Sequence, residues 1–191
     1  MIKMMEKLGV DIEKVRKMHL PEEYTRFHFT SKRKRMSTII ENCGVTEFGY
    51  DKRIHLKGAS EIVLGSCKFF LDQKGEKQLL TDEMKFNLNS LITKYANDAL
   101  RTISFAYKDL KPNEGGAQHD DMDEDGVIKA VEKEEFILIS LVGIMDIIRP
   151  EVPNAVERCQ KAGIKVRMVT GDNKITAMAI AKQCHIINED D

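Results

Sequence analysis

The chain has 191 residues, with 30 Lys and Arg against 31 Asp and Glu, a formal net charge of -1 and a hydrophobic content of 42%. This balance argues against a general nucleic-acid-binding protein, which is expected to be basic. The longest apolar runs are shorter than the roughly 18 residues of a membrane span, and charged residues interrupt the N-terminal apolar residues, so neither a span nor a signal peptide is predicted. Four widely spaced cysteines without a Cys-x-x-Cys pair favour reduced intracellular thiols over zinc or disulfides.

Apolar spacing in the first 70 residues predicts both helices and strands. Apolar residues at intervals of three and four indicate a helix over residues 1–17, broken at Gly9. Alternating residues predict an antiparallel hairpin of two strands (24–30 and 36–42) and a third strand (53–57) that ends at Gly58. A helix over 59–70 is expected to follow.

The middle of the chain contains a polar connector (71–80), a helix from Thr81 to about Leu100 and an alternating strand (101–109). Residues 112–126 form an acidic, glycine-containing stretch. Its continuation over 121–132 matches the pattern of an EF-hand calcium loop, with Gly126 at the sixth position and Glu132 at the twelfth. A solvated acidic loop is the preferred interpretation, because short motifs match by chance.

The last third predicts an apolar strand (136–145), a helix (150–162), a parallel strand (165–169) and a helix (174–184). We expect a second domain to begin at residue 136. Thr170, Gly171 and Asp172 follow the second of these strands, at its carboxyl end, where open parallel sheets place ligands. The first N–H groups of the next helix can also face an anion. The alternative is an ordinary helix start capped by Asp172 or Asn173.

Two further constellations could bind a nucleotide. The sequence Phe27-His28-Phe29-Thr30-Ser31-Lys32-Arg33-Lys34-Arg35-Met36-Ser37 places aromatic rings beside a basic turn, which suits purine stacking next to phosphate-binding charge. Lys57-Gly58 stands between a strand and a helix, and therefore places an ammonium near free backbone N–H groups. A solvated basic turn and a surface lysine are the respective alternatives.

These segments together resemble the P-type cation-transporting ATPases. Residues 141–153 and 155–173 resemble the phosphorylation domain of that family, and within it the plasma-membrane calcium-transporting ATPases above all. The basic hairpin and the Lys57-Gly58-Ala59 sequence resemble the family's nucleotide-binding domain. The resemblance covers about residues 1 to 187, so we expect the chain to be a piece of a larger pump.

The resemblance implies an α/β (α+β) fold in two parts. Residues 1–135 would form the nucleotide-binding domain, an antiparallel sheet flanked by helices. Residues 136–191 would form part of the phosphorylation domain, an incomplete parallel piece similar to the haloacid dehalogenases and lacking its N-terminal portion.

Five residues of the first part are implied to contact ATP. Phe29 would stack on adenine, with Lys34 near the nucleotide. Lys57 and Gly58 would line the adenine pocket, and Arg101, which could also be a simple strand-edge arginine, would reach the phosphates.

Five residues of the second part are implied to act on the same nucleotide. The turn from Asp146 to Arg149 would contact phosphate or ribose. Thr170 and Gly171 would orient phosphate, and Asp172 would position nucleotide or water linked to magnesium. Ile147 replaces the family's usual proline after Asp146, which alters the expected turn.

The implied function is presentation of ATP, with Mg²⁺, to an aspartate outside this chain. The family's Asp-Lys-Thr-Gly-Thr phosphorylation motif does not occur in the sequence. We therefore expect a non-catalytic, soluble, monomeric piece without catalytic or metal-ligating residues of its own. Its parent would be a multi-pass plasma-membrane calcium pump, attached to the membrane through segments outside this sequence, with this piece on the cytoplasmic side.

Three alternatives remain open. The parent could transport another cation, because ion selectivity lies in membrane residues outside this chain. The chain could be a small phosphatase of the haloacid dehalogenase type, although a nucleophilic Asp-x-Asp or Asp-x-Thr after an apolar strand is not found. It could also be a non-catalytic calcium-sensing module built on residues 121–132.

Overall fold

A computed structural model describes residues 2–20, 24–41, 52–110 and 130–188. The strands are β1 Thr25–Phe27, β2 Arg35–Glu41, β3 Lys52–Ala59, β4 Cys67–Leu71, β5 Lys77–Leu79, β6 Leu100–Asp109 and β7 Phe136–Met145. The helices are α1 Ile2–Lys7, α2 Ile12–His19, α3 Ser60–Ser66, α4 Asp82–Asn97, α5 Glu151–Lys161 and α6 Lys174–Gln183, with a short 3-10 helix at Ala130–Glu132. In these ranges no helix combines the length and apolar character needed to cross a bilayer.

The seven strands form one sheet in the order β1-β2-β3-β6-β7-β4-β5. Neighbouring strands are antiparallel except for β4 and β7, which are parallel. The expected antiparallel sheet with flanking helices is therefore confirmed, with one parallel pair. The division of the chain at residues 135 and 136 stays a prediction, and β7 on its C-terminal side is hydrogen-bonded within the sheet of the N-terminal part.

The hydrophobic core lies where α3 and α4 pack on one face of the sheet. Alternate residues of β2 and β3 point into it, as the period of two along a strand requires. Ile54, Val63 and Phe136 are 0% exposed. Because full burial of such a side chain stabilises a fold by about 1.5–3 kcal/mol, this cluster holds the central strands against the two helices.

Several sequence predictions are confirmed. The N-terminal helix is interrupted at Gly9, whose φ of +80° ends α1 and suits glycine. The hairpin of β1 and β2 is antiparallel, although β1 is shorter than predicted. Thr81 caps α4, because its hydroxyl accepts a hydrogen bond from the Met84 N–H at 3.2 Å. The helices α5 and α6 also lie within the predicted ranges.

The helix predicted over residues 59–70 is wrong in its second half. The helix α3 ends at Ser66, and Cys67 begins β4. This strand gains hydrogen bonds from β5 on one side and β7 on the other, so long-range pairing overrides the local periodicity. The predicted polar connector over 71–80 correspondingly contains β5, which follows a turn closed by the Asp72 carboxylate.

The parallel strand predicted over residues 165–169 is also wrong. These residues are irregular, and Val169 is 97% exposed. Strand structure needs a hydrogen-bonded neighbour, and none of the described strands pairs with this stretch. The parallel part of the expected phosphorylation-domain piece is therefore reduced to two helices and irregular connections. The acidic stretch 112–126 and residues 121–129 of the EF-hand-like pattern lie outside the described residues.

Candidate functional site

The basic turn between β1 and β2 is closed by hydrogen bonds to Thr30. The Lys34 N–H donates to the Thr30 carbonyl at 2.8 Å, and the Arg33 N–H donates to Thr30 Oγ1 at 3.1 Å. Lys34 has a φ of +51°, which is uncommon for a residue other than glycine. Its carbonyl accepts a hydrogen bond from the Ala59 N–H at 3.0 Å, so the turn is joined to the end of β3.

Gly58 makes this close approach of β2 and β3 possible. A Cβ at position 58 would lie 2.4 Å from the Lys34 carbonyl oxygen and 2.8 Å from the Arg35 Cα. Both are backbone atoms that cannot rotate away. Gly58 therefore admits the backbone of Lys34, and its implied role as a lining residue of an adenine pocket stays a prediction.

A cavity of about 130 Å³ opens beside this turn. Its lining comes from the hairpin, the β3–α3 junction, α4, the start of β6 and the segment that leads into α6. The lining residues are Phe29, Lys34, Ala59, Glu61, Ile92, Ala96, Arg101, Thr102, Gly171, Asp172, Asn173 and Thr176. Five of the ten residues predicted from the sequence therefore meet here: Phe29, Lys34, Arg101, Gly171 and Asp172.

Arg101 joins the two predicted halves of the site through its guanidinium. Its Nε lies 2.9 Å from Asp172 Oδ1 and its Nη2 lies 3.0 Å from Asp172 Oδ2, which is a bidentate pair. The same Nη2 lies 3.3 Å from Asp146 Oδ2. The Thr170 hydroxyl donates to Asp172 Oδ2 at 2.8 Å and accepts from the Asp172 N–H at 3.1 Å. Carboxylates thus occupy the face of Arg101 that phosphate oxygens would need.

The helix α6 is capped by Asn173 and not by Asp172. Asn173 Oδ1 accepts a hydrogen bond from the Ile175 N–H at 2.8 Å. The ordinary helix-start interpretation of the sequence is therefore correct for Asn173. Because Asn173 accepts the hydrogen bond at the start of the helix, the carboxylate of Asp172 is available to Arg101 in the cavity.

The remaining predicted residues lie outside the cavity lining. Lys57 is exposed and lines a neighbouring depression of about 240 Å³ together with His55 and Met36. Lys57 alternates along β3 with the buried residues Ile54 and Leu56, so its side chain points to the face of the sheet opposite the helices, whereas the 130 Å³ cavity is lined by Ile92 and Ala96 of α4. Arg149 is exposed on the turn before α5.

Glu132, the twelfth residue of the EF-hand-like pattern, contacts the hairpin that contains Lys34. Arg33 Nη2 lies 2.5 Å from Glu132 Oε1 and 2.7 Å from Oε2, and the Ser37 hydroxyl donates to Oε1 at 2.5 Å. Glu132 is 0% exposed. The twelfth residue of the EF-hand-like pattern is therefore bound to an arginine and is not available as a bidentate calcium ligand. Within the described ranges, no group of three or more His, Cys, Asp or Glu could hold a metal ion.

Several lining residues had no sequence signal of their own. Ile92 and Ala96 belong to the apolar face of α4, which the helical period predicts as core. Glu61 and Thr176 are isolated polar residues near the ends of helices. Arg33 and Glu132 are 99 residues apart, and a single sequence contains nothing that pairs them.

Comparison with known families identifies the chain at this point. The family model described as "P-type ATPase, cytoplasmic domain N" matches residues 1–151. The chain belongs to the P-type ATPase family. This assignment agrees with a sheet flanked by helices and with the resemblance seen in the hairpin.

Three similar proteins are calcium-transporting ATPases by name. The chain is 41% identical over 182 residues to "Calcium-transporting ATPase PAT1" of Dictyostelium discoideum, which covers 95% of this chain and 14% of that protein. It is 44% identical over 178 residues to "Plasma membrane calcium-transporting ATPase 4" of Bos taurus (90% and 13%). It is 44% identical over 162 residues to "Calcium-transporting ATPase 2, plasma membrane-type" of Arabidopsis thaliana (85% and 14%). The chain thus spans about one seventh of these relatives.

Proposed function

We propose that this chain binds ATP and presents its γ-phosphate to an aspartate outside these 191 residues, within a calcium-transporting P-type ATPase. The observation that carries the proposal is the convergence of Phe29, Lys34 and Arg101 on one cavity. These residues come from two distant segments of the sequence, and together they supply an aromatic face, an ammonium and a guanidinium. A purine with attached phosphates is a ligand that needs all three.

The dimensions of the cavity indicate how ATP would lie. Pockets for small molecules commonly measure about 300–1,000 Å³, so a cavity of about 130 Å³ encloses only part of a nucleotide. Phe29 lines the cavity and is 58% exposed, so its ring is accessible for stacking. The rest of the nucleotide would lie outside this cavity, and Lys57 lines a separate depression on the face of the sheet opposite α4.

The phosphates would take the place of carboxylates around Arg101. Asp146 and Asp172 both contact this guanidinium now, and phosphate oxygens match the same bidentate geometry. Asp146 would then contact phosphate or ribose, and Asp172 would help to position the nucleotide or a water linked to the Mg²⁺ that accompanies ATP. Bound Mg²⁺ would neutralise charge on the transferring phosphoryl group, while Arg101 and Lys34 orient it.

Binding without turnover is expected of the chain by itself. The phosphorylation motif Asp-Lys-Thr-Gly-Thr is not found in its sequence, so a nucleophile must come from elsewhere in the enzyme. We also propose that the whole protein transports calcium across the plasma membrane, on the basis of the names of its relatives. The division into residues 1–135 and 136–191, and a monomeric state for the chain, belong to the same proposal.

A titration followed by NMR tests the ATP site. We expect saturable shifts of Phe29, Lys34 and Arg101 with a dissociation constant between about 0.1 and 1 mM, or roughly 4–5.5 kcal/mol. Arg101→Ala should weaken binding about tenfold or more, since a hydrogen bond to a charged group contributes about 1.5–3 kcal/mol. Phe29→Ala should weaken binding about tenfold, since stacking of a base on an aromatic side chain contributes about 1–3 kcal/mol. Lys57→Ala should have a smaller effect.

The control for charge is Lys74→Ala. Lys74 is exposed on the turn between β4 and β5, and its loss changes the net charge by the same amount as the loss of Arg101. ATP affinity should stay within about twofold of wild type in this variant. Equal weakening by Lys74→Ala and Arg101→Ala would show that binding reflects net charge alone and would refute the proposed site.

A further inference from the structure

We infer that Glu132 is a positioning residue for nucleotide binding. Through its contact with Arg33, Glu132 holds the neighbouring Lys34 in the cavity. The inference rests on the proposed ATP site and adds a residue on the opposite side of the hairpin turn. Glu132 does not line the cavity, so its effect on ATP would be transmitted through the turn.

The contact between Glu132 and the hairpin is buried, and both carboxylate oxygens of Glu132 have hydrogen-bond partners. The Glu132 side chain is 0% exposed and that of Arg33 is 10% exposed. One nitrogen of Arg33 reaches both carboxylate oxygens, and the Ser37 hydroxyl donates to one of them. Removing one member of a buried ion pair leaves the other charge without compensation, so the turn must move when the pair is broken.

Lys34 follows Arg33 directly and depends on the position of the turn. Its φ of +51° is a conformation that a lysine keeps only when its surroundings determine it. Those surroundings comprise the two hydrogen bonds to Thr30, the hydrogen bond from the Ala59 N–H, and the anchored side chain of Arg33. Arg33 points to Glu132 while Lys34 lines the cavity, so the anchor and the ligand-facing residue are adjacent in sequence.

The same carboxylate joins the ATP hairpin to the 3-10 helix at Ala130–Glu132. This helix directly precedes β7, the strand that pairs with both β4 and β6. Ser37 lies on β2, so Glu132 connects the first strands of the sheet to the segment between β6 and β7. The position of Lys34 is therefore set by a residue from a different part of the chain.

A second ion pair in the sheet provides a matched control. Arg53 Nε lies 2.6 Å from Asp109 Oδ1 and Arg53 Nη2 lies 3.0 Å from Oδ2, with side chains 15% and 7% exposed. This pair joins β3 to β6 at the end of the sheet remote from the cavity. Its loss should destabilise the fold without moving Lys34.

The test measures ATP affinity of the whole chain by isothermal titration calorimetry, together with the thermal midpoint of each variant. We expect Glu132→Gln to weaken ATP binding about fivefold or more, and Asp109→Asn to change it by less than about twofold, although both lower the midpoint. In a Lys34→Ala background, Glu132→Gln should have almost no further effect on affinity, because residues that act in series are not additive.

A second variant covers the case in which Glu132→Gln does not fold. Glu132→Asp keeps the charge and shortens the side chain by one methylene, so it should fold and weaken ATP binding by about twofold to fivefold. The backbone amide of Lys34 should shift in its NMR spectrum, and this shift separates repositioning of the turn from general destabilisation.

The outcomes distinguish the inference from the function on which it rests. Unchanged ATP affinity in a folded Glu132→Gln or Glu132→Asp protein would overturn the positioning role and leave the ATP site intact. A loss of affinity that persists in the Lys34→Ala background would also overturn it. Absence of ATP binding by the wild-type chain would overturn both.

Discussion

The substitution Gly58→Ala tests how the hairpin turn is held against β3. Gly58 pairs with Arg35 on one side and with Ser104 on the other, so its strand cannot shift freely in either direction. An added Cβ would lie 2.4 Å from the Lys34 carbonyl oxygen and 3.0 Å from the Arg35 Cβ. Cβ atoms do not approach other atoms at 2.4 Å, so the two strands must separate.

The cost follows from the contacts that would change. Overpacking of a filled site destabilises a protein by about 1–3 kcal/mol. Separation of the strands would also weaken the hydrogen bond from the Ala59 N–H to the Lys34 carbonyl, which contributes about 1 kcal/mol. We therefore expect Gly58→Ala to lower the free energy of unfolding by about 2–4 kcal/mol, a large part of the stability of a typical domain.

Urea unfolding followed by circular dichroism measures this difference. With a slope of about 2 kcal/mol per molar urea, the midpoint should fall by about 1–2 M. ATP affinity should fall as well, because Lys34 moves with its carbonyl. The control is Gly65→Ala on α3, where a Cβ would meet nothing within 4 Å. It should raise stability by about 0.5–1 kcal/mol through helix propensity. A Gly58→Ala midpoint within experimental error of wild type would refute the close-approach argument.

Three smaller predictions concern other parts of the fold. Thr81→Ala removes the cap of α4 and should cost about 1 kcal/mol in urea unfolding, with Thr81→Ser as a control that restores most of it. Burial raises the pKa of the Cys67 thiol to about 12. Iodoacetamide at pH 8 should therefore label the partly exposed Cys159 and leave Cys67 unmodified until the protein unfolds. Rapid labelling of Cys67 in the native protein, detected by peptide mass spectrometry, would contradict this. Asp172→Asn weakens an ion pair in which the Arg101 side chain is 46% exposed, so the free energy of unfolding should change by less than about 1 kcal/mol. A larger change in urea unfolding would mean that this contact stabilises the fold more than a surface ion pair does.

The local elements were largely predictable because short-range chemistry determines them. The left-handed Gly9, the cap at Thr81 and the apolar period of α4 each act within a few residues. The strand over 165–169 was predicted wrongly for the complementary reason: apolar residues suit a strand, but only a neighbouring strand can satisfy its backbone.

The candidate site likewise contains residues that were predictable and contacts that were not. The resemblance to the P-type ATPases implied that Phe29, Lys34 and Arg101 face a nucleotide, and the structure brings them to one cavity. In the sequence, Glu132 stood out only as the twelfth position of an EF-hand-like pattern, for which a solvated acidic loop was the preferred interpretation. The structure instead pairs it with Arg33, because folding brings together residues that are 99 positions apart.

The sequence by itself thus determined the family, the main helices and strands, and the kinds of side chain available for a nucleotide. Only the tertiary structure decided which of those side chains meet, that Gly58 serves backbone approach, and that Arg101 is held by Asp172. The physical reason is range: propensity, capping and periodicity act over a few residues, whereas strand pairing and buried ion pairs depend on contacts between distant segments, which a single sequence does not specify.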